Sequence, residues 1–315
     1  MSRIENFTPN PQVAYAWIVF ATFLWGLSVV ISRGVHDVIP PLGMSFWRWS
    51  IGLVVLLPLV WRELGEKWPL VKQHAKMLVL MGFLQVGSST VMLLAVNFTT
   101  AVNATIMNAA LPVVTIVPAW LITRDRVTLG QSIGIVAALL GIFVMAAQGQ
   151  WQMLASMDFN LGDIFAFLAV VGWSLYGALL HRLPTELGLA TTLFYIILAG
   201  SILLVPFYIA ETIMFKAVPA SMLTIVVVMV LGIFVSVGSI LIWNACIRAI
   251  GPNRTSIFIN LVPIFGIVLA IIFLGESLYF YHLAGGGMVF MGILLVIYST
   301  QRRKRRNKQF DQQMG

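Results

Sequence analysis

The sequence predicts an all-α integral membrane protein whose ten transmembrane helices form two inverted five-helix repeats. Three observations predict it. Of 315 residues, 60% are hydrophobic and only 10% charged, a balance outside that of soluble domains. Apolar runs of about twenty residues, the length that crosses a bilayer core as a helix, recur along the whole chain. The second half of the chain also reads as a copy of the first.

The runs fall at 13–33, 41–61, 75–96, 101–122, 128–147, 162–181, 189–209, 221–247, 254–274 and 279–299. They are continuously apolar, whereas strands of a membrane barrel alternate over about ten residues, so helices are expected. A polar segment, 1–12, carries no cleavable signal pattern; 148–161 reads as an external linker and 300–315 as a basic tail. The lone cysteine, Cys246, reads as a small apolar filler of the eighth helix.

Ten spans place both termini on one side and divide the loops into two sets. One set holds sixteen of the Lys and Arg residues, including Arg62, Lys67, Lys72, Arg124, Arg182, Arg254 and the tail; the other holds only Arg33 and Lys216. Short cytoplasmic loops retain basic residues, so the first set and both termini are expected in the cytoplasm. The net charge of +8 is then a topology and lipid-headgroup signal rather than a nucleic-acid one.

A shift of 151 residues places Pro112 on Pro263, Asp125 on Glu276, Gly134 on Gly285, Gly141 on Gly292, Phe83 on Phe234, Gly87 on Gly238 and Ser88 on Ser239. A shift of 148 places Trp25 on Trp173, Phe46 on Phe194 and Pro58 on Pro206. The repeats are thus 13–147 and 162–299. Five spans is an odd number, so the two copies must be oppositely oriented. Inverted repeats are the architecture of secondary transporters, with a site near the membrane midplane between the halves.

The segments "LWGLSVVISRG", "IPPLGMSFWRW", the paired stretches around Pro112 and Pro263, "FLGESL" and the glycine-rich last span together resemble the EamA-type ten-helix members of the drug/metabolite transporter superfamily. The resemblance covers roughly residues 14 to 299. The stretch "TRDRVT" departs from the Gly-Glu that the family usually carries at that turn. The resemblance implies a central cavity enclosed by helices one to four and six to nine, and efflux more often than uptake.

Polar and aromatic stripes point to the same centre. Helix three offers Gln85, Ser88, Ser89 and Met92; helix eight offers Ser236, Ser239, Ile240 and Trp243 at the matching positions. Helix four brings Thr105, Asn108 and Pro112, and helix nine Asn260 and Pro263. A proline near mid-span releases the carbonyl four residues back, at Asn108 and Ile259, marking gating or hinge positions. Trp25 and Ser28 in helix one, with Trp173 and Tyr176 in helix six, form an amphipathic wall too deep in their spans for interfacial anchoring. Helices five and ten, rich in small residues, read as peripheral packing helices.

Arg48 is the one cation inside a span. With the amino end of helix two outside, it lies about 10 Å below the outer edge at the helical rise of roughly 1.5 Å per residue. Its counterpart in the second half is Ile196, so it breaks the internal symmetry. Two roles stand open: a grip for a substrate anion, or a structural pair with carbonyls, Asp37 or Asp163. No Asp or Glu lies deep within any predicted span; Asp163 and Glu276 sit at ends.

The expected function is secondary transport of a small polar or amphipathic metabolite, such as an amino acid or related organic solute, across the cell inner membrane by alternating access. Its expected partners are that solute and membrane lipids, with homodimeric assembly left open, nucleic acid excluded, and no cofactor, metal or catalytic residue. The rivals are a membrane-embedded enzyme acting on a lipid-linked substrate and a non-transporting scaffold. The enzyme would need acids or histidines clustered at depth, whereas His36, His74, His181 and His282 lie near span ends.

Overall fold

The computed structural model describes residues 9–35, 37–95, 98, 107–124, 127–147, 150, 152, 161–274 and 279–314. Thr105, Asp125, His36, Glu276 and most of the 148–161 linker lie outside them.

Helix α1 spans Pro11–Val35. Pro40, extended at φ −65° and ψ 145°, ends the turn after it, and Pro41 starts α2 (Pro41–Glu66) at the position where a missing N–H costs nothing. A short helix, α3 (Trp68–Gln73), leads into α4 (Ala75–Ala95). Then come α5 (Met107–Thr123), α6 (Leu129–Ala146), α7 (Leu161–Arg182), α8 (Leu189–Met214), α9 (Met222–Ile250), α10 (Pro252–Phe273) and α11 (Phe280–Met314). Local chemistry sets the ends. Thr128 and Gln131 form a reciprocal capping box on α6 at 3.3 and 2.8 Å. Ser221 caps α9. Gly251 at φ 87° and Pro252 together stop α9 and start α10.

Among the described residues, eight helices are long and apolar enough to cross a membrane (α1, α2, α4, α7, α8, α9, α10 and α11). Two shorter apolar helices, Met107–Thr123 and Leu129–Met145, accompany them. The outward faces carry large apolar side chains such as Phe207, Phe273 and Leu129, as a hydrocarbon solvent allows. Three expected boundaries change most. The second span runs on to Glu66 and takes Glu63 into a helix, the seventh runs on to Met214 and takes in Glu211, and the last helix continues through the basic tail to Met314.

Helix α4 and helix α9 each contain a π-helical stretch, Phe83–Gly87 and Leu231–Ser239, at the positions that the 151-residue shift superposes. Such turns widen a helix locally and occur often at functional sites. α6 and α11 pack on each other through glycines: a Cβ built on Gly134 would lie 2.5 Å from the carbonyl oxygen of Gly292, and one on Gly285 equally close to that of Gly141. At two other interfaces, Gly52 of α2 meets Val237 of α9 and Gly200 of α8 meets Val86 of α4. Backbones approach this closely only where no side chain intervenes.

Candidate functional site

The two halves meet in a buried aromatic contact, and beside it the second half carries a buried phenol–amide pair. Trp25 of α1 and Trp243 of α9 lie with ring centroids 4.8 Å apart, tilted by 56°. Trp25 also packs against all three groups of buried apolar side chains, which makes it the hub of the interior. One residue on, Asn244 exchanges hydrogen bonds with Tyr176 of α7: the phenol donates to Oδ1 at 3.0 Å and Nδ2 donates to the phenol oxygen at 2.7 Å. Both residues are almost fully buried, Tyr176 at 1% and Asn244 at 0% exposure. Asn244 was not singled out from the sequence, although an amide in the apolar run "LIWNACI" was the available signal.

The other sequence-derived positions divide into two kinds. Ser28, Ser89 and Ser239 each donate to a backbone carbonyl of their own helix, at Trp25, Val86 and Val235 respectively. Those hydroxyls are satisfied locally. By contrast, both amide atoms of Asn260 are buried without a hydrogen-bond partner among the described residues, as are Oδ1 of Asn108 and the hydroxyls of Ser174 and Ser236. An unmatched buried polar group costs about 1–3 kcal/mol. Gln85 is buried within the π stretch of α4, and Trp173 is half-buried beside Tyr176 in the largest apolar group.

Pro263 lies at the middle of α10 as expected, and each proline follows a local break within its helix. In α5 the backbone tightens to i→i+3 hydrogen bonds, Ala110 to Met107 and Val113 to Ala110, and Pro112 follows in the first turn of a fresh helical segment. In α10 the stretch Ile257–Asn260 is 3₁₀-helical and Pro263 follows in the first turn of Leu261–Leu274. Proline is tolerated there because first-turn N–H groups need no intrahelical acceptor. Asn108 and Asn260 therefore stand at helix breaks, and both breaks face the interior.

Arg48 lies along α2 with its guanidinium carbon 4.9 Å from the Trp49 ring centroid, and its Nε is buried with no hydrogen-bond partner. The start of the same helix carries an acidic cap that the sequence reading missed: Glu211 of α8, 7% exposed, accepts hydrogen bonds from the backbone N–H groups of Leu42 at 3.0 Å and Gly43 at 2.6 Å, capping the amino end of α2. At the end of the bundle where most basic loop residues lie, Arg124, His181, Arg182 and Arg254 line an open cleft of about 600 Å³ between the ends of α5, α7 and α9.

This is a multi-pass helical membrane protein with a polar, aromatic seam inside an apolar bundle. The profile of the EamA-like transporter family matches residues 12–147 and again 160–298, and the chain belongs to that family. Among its relatives, the uncharacterized transporter YyaM of Bacillus subtilis is 25% identical over 283 residues, covering 89% of this chain and 92% of that protein. The uncharacterized inner membrane transporter YicL of Salmonella typhimurium is 24% identical, covering 91% and 96%. A probable amino-acid metabolite efflux pump of the same organism is also 24% identical, covering 89% and 93%. A solved crystal structure superposes with a TM-score of 0.74 at 16% identity, covering 90% of this chain and 96% of that one; it supports the fold alone. The family and the names of these relatives point to a transporter rather than an enzyme, and so to a small-molecule substrate and a lipid surrounding.

Proposed function

We propose that this protein is a secondary transporter of the cell inner membrane that exports a small amphipathic metabolite, an amino acid or related organic solute, by alternating access. The observation that carries the reading is the seam between the halves. Aromatic rings from α1 and α9 face each other at mid-bundle, while the unpartnered amide of Asn260 and Oδ1 of Asn108 stand at the helix breaks of α10 and α5. An apolar wall with a few convergent polar atoms suits a solute that carries both kinds of surface. Trp25, Ser28, Gln85, Ser89, Trp173, Tyr176, Ser239 and Trp243 line this route, Arg48 meets an anionic group, and Pro112 and Pro263 mark the hinges. The relative named as a probable amino-acid metabolite efflux pump supports the solute class.

Ten spans in two inverted repeats, 13–147 and 162–299, with both termini cytoplasmic, complete the proposal. Two-fold contact pairing supports the inversion. The shift of 151 carries the contact Gly134–Gly292 onto Gly285–Gly141, the same interface with its partners exchanged. Shifts of 148 and 151 likewise carry Gly52–Val237 onto Gly200–Val86. Contacts that swap onto themselves are what a pseudo-two-fold axis in the membrane plane produces. The decisive experiment is counterflow in reconstituted vesicles preloaded with individual amino acids. Saturable uptake of labelled solute against an unlabelled internal pool is expected; the same flux in vesicles without protein, across the panel, defeats the solute assignment.

A further inference from the structure

The geometry points to a pair of symmetry-related latches on the α2–α8 seam, one at each end, in which Glu63 and Glu211 are the gate residues. The inference rests on the transporter reading and adds residues to it. At one end Glu211 of α8 accepts from Leu42 and Gly43 at the start of α2, and Lys216 donates to the Asp37 carbonyl at 2.8 Å. At the other end Glu63 of α2 accepts from the Thr191 hydroxyl at the start of α8 at 2.7 Å. Lys67 there donates both to Glu63 at 2.7 Å and to the Leu187 carbonyl at 3.2 Å. The 148-residue shift turns one arrangement into the other: Glu63 falls on Glu211 and Gly43 on Thr191. Each antiparallel helix thus uses a carboxylate near its carboxyl end to hold its partner's amino end.

Both latches are closed in this structure. Because they lie at opposite ends of one seam, parting either splays α2 from α8 at one face while the other end stays tied. That is the geometry alternating access requires, and the two ends differ in ways suited to unequal strength. Glu211 takes two backbone N–H groups, whereas Glu63 is shared between a hydroxyl and an ammonium. Val218 also packs over Gly43, so that a Cβ there would collide with it, which adds an apolar contact at the Glu211 end.

The test reads access rather than flux, so it stands even if no amino acid is carried. In full-length protein with Cys246→Ser, the substitution Ser236→Cys places a thiol on the α9 π stretch beside the seam, and a membrane-impermeant maleimide is applied from either face of oriented vesicles. Glu211→Gln is expected to raise the labelling rate roughly tenfold from one face only, and Glu63→Gln from the opposite face only, since each weakens hydrogen bonds that favour the closed state. Lys216→Met and Thr191→Val repeat the two arms with milder changes, in case a glutamate variant elutes aggregated on size exclusion. Unchanged labelling in all folded variants, or a rise from the same face for both ends, overturns the proposal. Flux failing while opposite-face labelling persists overturns the solute assignment instead.

Discussion

The Tyr176–Asn244 pair offers a sharp test of whether the seam is a matched polar unit. Tyr176→Phe removes one hydroxyl and strands both the Oδ1 and the Nδ2 of Asn244, which is fully buried. Asn244→Leu strands only the phenol. An unmatched buried group costs about 1–3 kcal/mol in protein interiors, while interhelical hydrogen bonds within membranes average ~0.6 and reach ~1.7 kcal/mol because the unfolded reference also finds partners. The bonds here are reciprocal, short and water-excluded, which favours the upper part of that range. Tyr176→Phe should therefore lose about 1–2 kcal/mol and Asn244→Leu somewhat less, whereas the double variant leaves nothing stranded and should recover most of the loss. The measurement is a double-mutant cycle on detergent-solubilised protein, with the folded fraction followed through a graded SDS titration. A coupling of about 1 kcal/mol or more is expected. Strict additivity of the two single changes refutes the view that this pair is a matched unit.

Arg48→Ala should abolish or greatly weaken transport while leaving insertion near normal, and Arg48→Lys should restore only part of it, because a point charge cannot reproduce the planar two-bond grip on a carboxylate; wild-type flux in well-folded Arg48→Ala excludes the role. Pro112→Ala and Pro263→Ala should slow turnover more than they lower folded yield, by straightening the breaks at Ala110 and Ile257–Asn260, and unchanged turnover at equal membrane abundance removes both from the mechanism. Gly134→Leu or Gly285→Leu should separate α6 from α11 and reduce folded yield severalfold on fluorescence-detected size exclusion, whereas Gly34→Ala, with no atom within 4 Å of a built Cβ, should not. A reporter fused after Gly315 should be active only if it matures in the cytoplasm; activity of a periplasm-dependent reporter there reverses the topology.

Eight of the spans and the doubling of the family pattern were legible because both are written in one-dimensional signals, apolar run length and the spacing of Pro and Gly. Gly134, Gly141, Gly285 and Gly292 stood out as a shifted set in the sequence and are the close-approach residues of α6 and α11 in the structure. Glu211 was illegible for a definite reason. The apolar run fades near residue 209, so the carboxylate read as loop, but the helix continues to Met214 and buries it against α2. Its function as a cap depends on an amino terminus 168 residues away in the chain, which no local pattern encodes. The π stretches of α4 and α9 escaped notice similarly, since a shift from i→i+4 to i→i+5 bonding leaves no compositional mark, although "FLQVGSS" and "FVSVGSI" already paired them. Arg48 was visible as an outlier, but which groups it meets depends on packing, which sets its side chain over Trp49.

Symmetry also separates scaffold from site. Residues that repeat between the halves, such as Gly52 with Gly200, Val86 with Val237 and Glu63 with Glu211, bind helices to one another, and their chemistry is satisfied within the protein. Around Trp25, which itself repeats as Trp173, the repeat fails in part. Under the same shifts Trp243 answers to Met92, Asn244 to Leu93 and Tyr176 to Ser28, so a large ring, an amide and a phenol on one side stand opposite smaller or apolar groups on the other. A scaffold need favours like for like across a pseudo-two-fold axis; a site that holds an asymmetric solute does not, because its polar and apolar ends require different neighbours. Trp243, Asn244 and Tyr176 are thus positions where the two halves differ in side-chain chemistry, whereas Trp25 answers to Trp173. Substitutions that restore symmetry there, such as Trp243→Met, should then spare folding more than they spare recognition, the reverse of what symmetry-breaking changes at Gly134 or Gly285 should do.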